Sequence, residues 1–453
     1  MSRELARDSV QETAGRGSRR RMMTATAAVF GGAAGLLPAA CGPGTDQKPA
    51  GSAATRQPAT LRYITEPGRV NSGVKEVVAL WNAKGTPVKV ELEGVPGSFS
   101  QKVLTGAAAG DPADVIHSHP RDYHAWLNAG ALLPLDDRLK KEKQNVPDLL
   151  PTALEYWNRD GKLWAVPYNL SVQNLYFNKD LFAKQGLKTP DLHEKDGTWT
   201  WETYLDLARK LTTGQGENKV FGAVWRAANL DIQLGTIWPM GGDLWDKAVQ
   251  NTLLDTRDTL DAIQYQADLT LKHRVSLHPD EKKELGATSS SFQHGRLATF
   301  ITTNAVVQDF ADAPFEKGVA PVPAGKAGRV IRNVPFGVHV MKGTKNPDAA
   351  WEYANFQAGL ESEKIMLADR VTVPWHKSSV ASQEWARTLH PWQNSQVYSE
   401  AANKVRPTIY PSQFTEIQKL YTTAYNSVYA GEKTAAQAVA EVKAPINDLL
   451  KKK

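Results

Sequence analysis

The chain has 453 residues, a formal net charge of +6, 41% hydrophobic residues and one cysteine. A chain of this length is too long for one small hydrophobic core, and we therefore expect two lobes. The modest charge argues against nucleic acid, which requires a concentrated basic face. The lone cysteine excludes disulfides within the chain and structural zinc sites built from cysteines.

The amino-terminal 40 residues have the order of an export signal. A basic segment ends at Arg19–Arg21, an apolar segment runs from Met22 to Leu37, and small residues precede Cys41. This pattern resembles a bacterial lipoprotein signal and predicts lipid attachment at Cys41. An ordinary signal peptide with a chance cysteine is the alternative, since Pro38 stands where leucine is usual. The arginines also resemble a twin-arginine motif, so the export route stays open.

Residues 41–60 are rich in Gly, Pro, Ala, Ser and Thr, and we expect them to form a flexible tether. The apolar part of the signal is about 16 residues long, which is short for a membrane span, and no later run approaches 18 residues. Removing residues 1–40 takes away six arginines and three acidic residues. The mature chain then has 48 basic and 45 acidic residues, a charge of +3.

Strands and helices alternate at the start of the mature chain. The patterns predict strands at Leu61–Thr65, Val88–Leu92 and Ala113–Ile116, with helices at Val74–Trp81 and Phe99–Leu104 between them. Such alternation is typical of a mainly parallel sheet with helices on both faces. Ligands bind beyond the carboxyl ends of such strands, which directs attention to the loops after the first and third strands.

Further along, the patterns predict a strand at Asn174–Asn178, a helix at Lys179–Gln185 and an amphipathic helix at Trp201–Leu211. Near the carboxyl terminus, apolar residues from Ile417 onward recur on one face of a predicted helix, which ends at Gly431. A capping box that begins at Thr434 predicts a last helix.

Seven segments of the mature chain form a recognisable series. They are Gly110–Val115, Leu132–Asp136, Asp160–Tyr168, Leu175–Phe182, Thr198–Trp201, Phe292-x-x-Gly-x-x-Ala298 and Asn346–Trp351. In this order and spacing they resemble the extracellular solute-binding proteins of ABC importers, in the sugar-binding group that includes maltose-binding protein. The chain departs from that family at Ile301–Ala305, where a Gly-x-Trp motif is usual, so one expected aromatic ligand platform is missing.

The resemblance implies an α/β fold of two periplasmic-binding-protein-like lobes, joined by hinge crossings, with a ligand cleft between them. Lobe 1 is expected to comprise residues 61–170 and 321–370, and lobe 2 residues 171–320 and 371–453. It implies a monomer without catalysis, cofactor or metal that binds a sugar or oligosaccharide and delivers it to importer permease subunits. With the lipid signal, it implies anchoring at the outer face of the bacterial cytoplasmic membrane.

A sugar site needs planar polar groups for hydroxyls and aromatic rings for the apolar faces. Residues of these types at predicted strand ends and turns are the candidates, each with a packing or turn role as the alternative. The Trp238–Asp243 loop is the strongest of them. The full set is Glu66, His117, Ser118, Tyr168, Trp238, Gly241, Gly242, Asp243, Thr303, Asn304, Gly337 and Arg370. Glu66 and Arg370 leave room for a charged ligand.

Enzymatic interpretations have weaker support. His117 and His119 could face one way as metal ligands, but no third ligand accompanies them at a telling spacing. Asp136 and Asp137 could form an acid–base pair, although adjacent carboxylates normally diverge. Nucleophile-elbow, zinc-protease and phosphate-loop motifs are absent from the sequence. A secreted carbohydrate-active hydrolase is the alternative function, followed by a cell-surface adhesion or scaffold protein.

Overall fold

The computed structural model describes residues 57–142, 146–224, 230–278, 288–370, 372–406 and 408–452. The predicted export signal, the Cys41 attachment site and most of the tether lie outside these residues. Residues 56–453 form one compact unit. Ten strands are present in the described part: β1 Ala59–Thr65, β2 Val88–Gly94, β3 Val115–Ser118, β4 Asn158–Arg159, β5 Lys162–Leu163, β6 Val166–Asn178, β7 Thr299–Thr303, β8 Lys317–Ala320, β9 Ile331–Val340 and β10 Val405–Arg406.

Helices surround these strands. The α-helices are α1 Ser72–Ala83, α2 Phe99–Ala108, α3 Pro120–Asn128, α4 Asp136–Leu139, α5 Pro151–Glu155, α6 Lys179–Lys184, α7 Pro190–Lys195, α8 Trp201–Leu211, α9 Leu230–Ile237, α10 Arg257–Leu271, α11 Thr288–Gln293, α12 Pro347–Ala358, α13 Leu360–Ala368, α14 Lys377–Ser382, α15 Ser395–Asn403, α16 Phe414–Tyr429 and α17 Ala435–Leu450. Short 3₁₀ turns occur at Pro67–Arg69, Val146–Asp148, Gly216–Asn218, Asn304–Phe310 and Glu384–Thr388. None of the described helices is long and apolar enough to cross a membrane.

The sheet is mixed, which corrects the prediction of a mainly parallel one. β1 pairs in parallel with β2 and β3, as the early strand–helix alternation predicts. β9 then pairs antiparallel with both β3 and β6, and β6 pairs antiparallel with β7 and β8. β6 and β9 are long strands buried along their whole length, and an apolar run does not reveal the direction of its partner.

Strand β6 belongs to two sets of strands. Its first half, up to Val172, pairs with β9, and its second half, from Gln173, pairs with β7 and then β8. The chain segment at 372–373 runs beside the same place, because Val373 donates its backbone N–H to the Leu170 carbonyl over 2.9 Å. We call residues 170–173 of β6 the crossing segment. The predicted lobe boundaries fall close to it, and they remain a prediction.

The described residues form two hydrophobic cores, and the larger one includes residues from both sides of the crossing segment. The larger core is built on the sheet and its covering helices. The smaller core joins α9, α10, α16 and α17, and includes Tyr421, Tyr425 and Tyr429, whose rings stack in succession along α16. Local signals explain several helix ends: Thr434 and Gln437 form the predicted capping box of α17. Gly431 takes φ = 77° after α16, a conformation that glycine adopts without strain.

Candidate functional site

A cavity of about 220 Å³ lies where β6 changes partners. One wall comes from the loops after β1 and β3, a second from the crossing segment and the start of β9, and a third from α9, β7 and the 304–310 turn. Both loops that the sequence predicts as ligand-binding places therefore contribute. The lining residues are Arg69, His119, Arg121, Ser171, Gln173, Ile232, Ile301, Thr302, Thr303, Ala305, Val306, Arg332, Val334 and Phe336.

Two of the lining arginines are held by one carboxylate. Glu66, the residue after β1, lies 3.7 Å from Arg69 and 3.6 Å from Arg121. The Arg69 guanidinium also lies 4.2 Å from the centre of the Phe336 ring, a cation–π contact. Glu66 thus positions cations at the cavity wall and does not itself line the cavity.

His119 lies near the positive charges of Arg121, Arg332 and Arg69. Its Nδ1 accepts a hydrogen bond from the Arg121 backbone N–H over 3.1 Å, at the start of α3, so the proton of the neutral ring lies on Nε2. Burial lowers the pKa of His119 well below its usual value, and the charges of Arg121, Arg332 and Arg69 lower it further. The ring is therefore neutral at physiological pH.

His117 and Tyr168 lie together behind the Phe336 wall. The His117 Nδ1 lies 2.8 Å from the Thr65 hydroxyl and 3.2 Å from the Tyr168 hydroxyl. Burial, followed by the charge of Arg69, lowers the His117 pKa, and its buried Nε2 has no hydrogen-bond partner among the described residues. Burial likewise raises the pKa of Tyr168. This neutral pair supports the cavity wall from behind.

Polar groups of the crossing segment and β7 complete the cavity. Ser171 and Gln173 line it from β6, and Thr302 and Thr303 line it from β7. The Gln173 Oε1 is buried and lacks a hydrogen-bond partner among the described residues, although it lies at the cavity. A buried amide oxygen without a partner is energetically unfavourable, and this amide packs against α9, where a Cβ on Gly235 would lie 2.1 Å from the Oε1.

The Trp238–Asp243 loop lies outside the lining of this cavity. Trp238 is buried in the smaller core, donates its indole N–H to Asp243 over 3.0 Å, and lies under the Arg406 guanidinium at 4.7 Å. Asp243 also forms an ion pair with Arg406. A Cβ on Gly241 would lie 2.8 Å from the Lys326 side chain, and one on Gly242 would meet Thr259. Packing against Thr259 of α10 therefore accounts for Gly242, and the φ of 91° at Gly241 favours glycine there.

Three further candidates also have packing roles. Ser118 lies inside β3 and not beyond its end, because the strand begins at Val115 and pairs with β9 as far as Ser118. The Ser118 hydroxyl lies 2.7 Å from the His339 Nε2. A Cβ on Gly337 would clash with the Trp157 ring at 2.7 Å. Arg370 donates to the Thr388 carbonyl and lies 3.3 Å from His390, away from the cavity lining.

The sequence interpretation missed the arginines. Arg69 stands three residues after the chosen Glu66, and Arg121 two residues after His119, so both loops were identified without their cations. The strongest overlooked signal is Arg332, which with Asn333 interrupts an otherwise apolar strand. Both residues are buried there, and charged groups in a buried strand are seldom structural alone. Of the predicted residues, Thr303 lines the cavity directly.

Asn304 lies next to the lining and braces it. Its amide oxygen accepts the Val172 backbone N–H, which ties the 304–310 turn to the crossing segment. Within the described residues, no group of three or more His, Cys, Asp or Glu side chains is arranged to hold a metal ion.

Comparison with known families agrees with this architecture. The profile of the bacterial extracellular solute-binding proteins matches residues 66–364, about two thirds of the chain. The chain belongs to this family. The match extends from the Glu66 loop through the crossing segment, β7 and β9, and so spans every element that lines the cavity.

Relatives in this family share low identity with the chain over much of its length. A Brucella abortus (strain 2308) protein, provisionally named a binding protein, is 26% identical over 296 residues, which is 62% of this chain and 67% of the relative. The galactooligosaccharide-binding protein of Bacillus subtilis (strain 168) is 23% identical over 424 residues, which is 90% of this chain and 92% of the relative.

A solved structure shows the same fold. The ABC substrate-binding protein Lmo0181 of Listeria monocytogenes, in complex with cycloalternan, superposes with a TM-score of 0.77 at 21% identity. The alignment covers 87% of this chain and all of that chain. The predicted two-lobe α/β fold of periplasmic binding proteins is thereby confirmed.

Proposed function

We propose that the protein captures a small polar solute of the sugar or oligosaccharide class and delivers it unchanged to an ABC-type importer. The observation that carries this proposal is the position of the cavity. It is walled from both sides of the crossing segment, so a bound solute contacts groups that belong to both halves of the fold. Membership of the solute-binding family supports the same function.

Binding follows from the chemistry of the walls. Ser171, Thr302 and Thr303 offer hydroxyls that can both donate and accept hydrogen bonds, so together they can replace water around a polyhydroxylated solute. A solute that contacts both walls stabilises the closed arrangement over an open one, and this shifts the population of the protein toward closure. The closed form would then dock on the permease.

Capture without chemical change fits the lining better than hydrolysis does. Glycosidases generally place two carboxyl groups on either side of the bond that is cleaved. Among the described residues, the cavity lining contains no Asp or Glu side chain, and Glu66 is engaged with two arginines. A secreted hydrolase is therefore the less favoured function.

The amino-terminal signal provides the location. Cleavage before Cys41 and acylation of that residue would leave residues 41–60 as a tether at the outer face of the cytoplasmic membrane. A tether of this kind raises the effective concentration of the protein near its permease, and a monomer suffices for delivery.

A binding screen tests the proposal. Unfolding temperature should be measured for the purified residues 42–453 with neutral sugars, charged sugars, amino acids and polyamines. One chemical class should stabilise the protein, as a ligand bound only to the folded state must. Mass spectrometry should recover that ligand unchanged; recovery of a cleaved product would support the hydrolase instead.

A matched pair of variants locates the site. Thr303→Val removes a hydroxyl that lines the cavity and should weaken binding about tenfold, the value of one hydrogen bond of about 1.4 kcal/mol. Thr105→Val changes an exposed threonine on α2 and should leave affinity unchanged. Equal affinities for the two variants would place the ligand elsewhere.

A further inference from the structure

Three arginines, Arg69, Arg121 and Arg332, converge on one small cavity. We infer that the solute carries an anionic group, a phosphate or a carboxylate, on a polyol or sugar body. This inference rests on the proposed function and names the ligand class of the same cavity. Arg69 and Arg121 share the Glu66 carboxylate, and Arg121 also lies 3.7 Å from Asp122, so an anion would add to a partly compensated set of cations. A neutral sugar offers these groups hydroxyl oxygens but no negative charge.

The guanidinium groups of these arginines are suited to binding an anion. Guanidinium groups match phosphate and carboxylate oxygens through two parallel hydrogen bonds, which a point charge cannot do. The Arg69 guanidinium forms a cation–π contact with the Phe336 ring. The Glu66 carboxylate forms ion pairs with both Arg69 and Arg121. Side chains held in this manner lose little conformational freedom when an anion binds.

Burial strengthens the attraction. Arg332 is only 4% exposed, and His119, which also lines the cavity, is 6% exposed. Charges act more strongly at such positions than in water because the surroundings screen them less. Burial is the main cause of the lowered His119 pKa, and the charges of Arg121, Arg332 and Arg69 lower it further, as expected if all three lie near this ring.

The remaining lining residues suit the uncharged part of such a solute. Phe336 is the aromatic residue among the described lining residues, and the Arg69 guanidinium packs on its ring, so this face is taken by a cation. Ser171, Thr302 and Thr303 provide hydroxyls for the uncharged part of the solute. The cavity of about 220 Å³ is smaller than the 300–1,000 Å³ typical of drug-sized ligands. A compact anionic solute fits this combination.

Matched pairs of compounds test the inference. Kd should be measured by calorimetry for glucose 6-phosphate and glucuronate against glucose, and for glycerol 3-phosphate against glycerol. Inorganic phosphate alone serves as the probe for the anion. At least one anionic compound should bind ten times or more tightly than its neutral partner, and its Kd should rise with salt concentration. The phosphate and carboxylate arms identify which anion the site prefers.

Arginine variants tie the effect to the cavity. Arg69→Gln should weaken binding of the preferred anionic compound at least tenfold, and Arg69→Lys should restore part of the loss by keeping the charge. Arg121→Gln provides a second, partly exposed position, so a folding defect at one site does not decide the result. Arg257→Gln, on an exposed face of α10, is the matched control and should leave Kd unchanged.

The possible results test this inference and the proposed function separately. Neutral compounds that bind as tightly as their anionic partners would overturn the inference and leave the proposed function intact. Binding of inorganic phosphate with no gain from any organic ester or acid would also overturn it, because the hydroxyl-lined part would then contribute nothing. Failure of every compound class in the screen would overturn the proposed function, and the inference with it.

Discussion

The Asn304 amide oxygen accepts the backbone N–H of Val172 over 2.8 Å, at the residue where β6 leaves β9 and begins to pair with β7. A side chain on the turn that follows β7 thus holds the crossing segment from the side. Both residues are buried, and the bond satisfies a backbone group that water does not reach. The cavity wall and the crossing segment are therefore mechanically joined.

Substituting Asn304 should destabilise the fold. Asn304→Ala leaves the Val172 N–H without its acceptor, and a buried donor without a partner costs about 1–3 kcal/mol. The free energy of unfolding, measured with urea, should fall by that amount. Asn403→Ala, at an exposed position of α15, is the control and should change it by less than about 0.5 kcal/mol. A similarly small change in Asn304→Ala would show that the bond is not made in solution.

Substitutions of Trp238 test whether its side chain packs in the core or contacts the ligand. Because its ring is buried against Arg406 and its indole N–H is donated to Asp243, Trp238→Ala should cost about 3–5 kcal/mol of stability. Trp238→Phe keeps most of the buried ring and loses the hydrogen bond, so about 1–2 kcal/mol is expected, with ligand Kd within threefold of the parent. Urea unfolding and calorimetry measure the two quantities. A tenfold weaker Kd at unchanged stability in Trp238→Phe would instead support direct ligand contact.

Asp122 should make stability depend on pH. Burial raises its pKa from 3.8 to about 6, with Glu66 adding to the rise and Arg121 and Arg69 opposing it. The folded protein then binds more protons than the unfolded chain between pH 4 and 6, so this residue's contribution to stability falls as pH increases through that window. At pH 7 the penalty is about 3 kcal/mol, from roughly two pKa units.

Asp122→Asn checks the sign of that effect. Compared with the parent, the variant should gain stability between pH 4 and pH 7, measured by urea unfolding at several pH values. Asp137→Asn removes one exposed carboxylate and controls for the change in net charge. A gain that is greatest at pH 4 would contradict the assignment.

Cys41 should determine where the protein is found. The full chain expressed in a bacterial host should partition with membranes, and mass spectrometry should show a mature form that begins at an acylated Cys41. Cys41→Ser should release the protein from the membrane fraction, because the acceptor thiol is gone. Ser52→Ala, in the tether, should leave partitioning unchanged. Equal membrane partitioning of the parent and Cys41→Ser would exclude the anchor.

Local elements were largely predictable from the sequence. The Trp201–Leu211 helix agrees at both ends, because Thr200 caps it and its apolar spacing is regular. The β1 and β2 strands agree to within two residues at each end. Strand direction was not predictable for β6 and β9. Both are buried over their full length, so neither alternation nor a short hairpin turn discloses their partners.

The site was harder to predict, for a physical reason. Sequence reasoning chose polar and aromatic residues near turns, and turns also need such residues for packing. Trp238 and Asp243 satisfy each other, and Gly242 makes room for Thr259. The cavity residues come instead from places that are distant in sequence, such as Arg69 and Arg332, and only the mixed sheet brings them together. Local sequence patterns indicate where β1 and β3 end, so the loops that follow them could be predicted. Which distant residues join those loops at the cavity depends on strand pairing, which local patterns do not reveal.

The position of β9 between β3 and β6 has a consequence for biosynthesis. Its residues, 331–340, leave the ribosome only after about three quarters of the polypeptide has been made. Until then the inner edge of β3 has no neighbour, and unpaired edges invite aggregation. The earliest strands therefore reach their final pairing only with residues from late in the chain, and contacts of such high sequence separation slow folding.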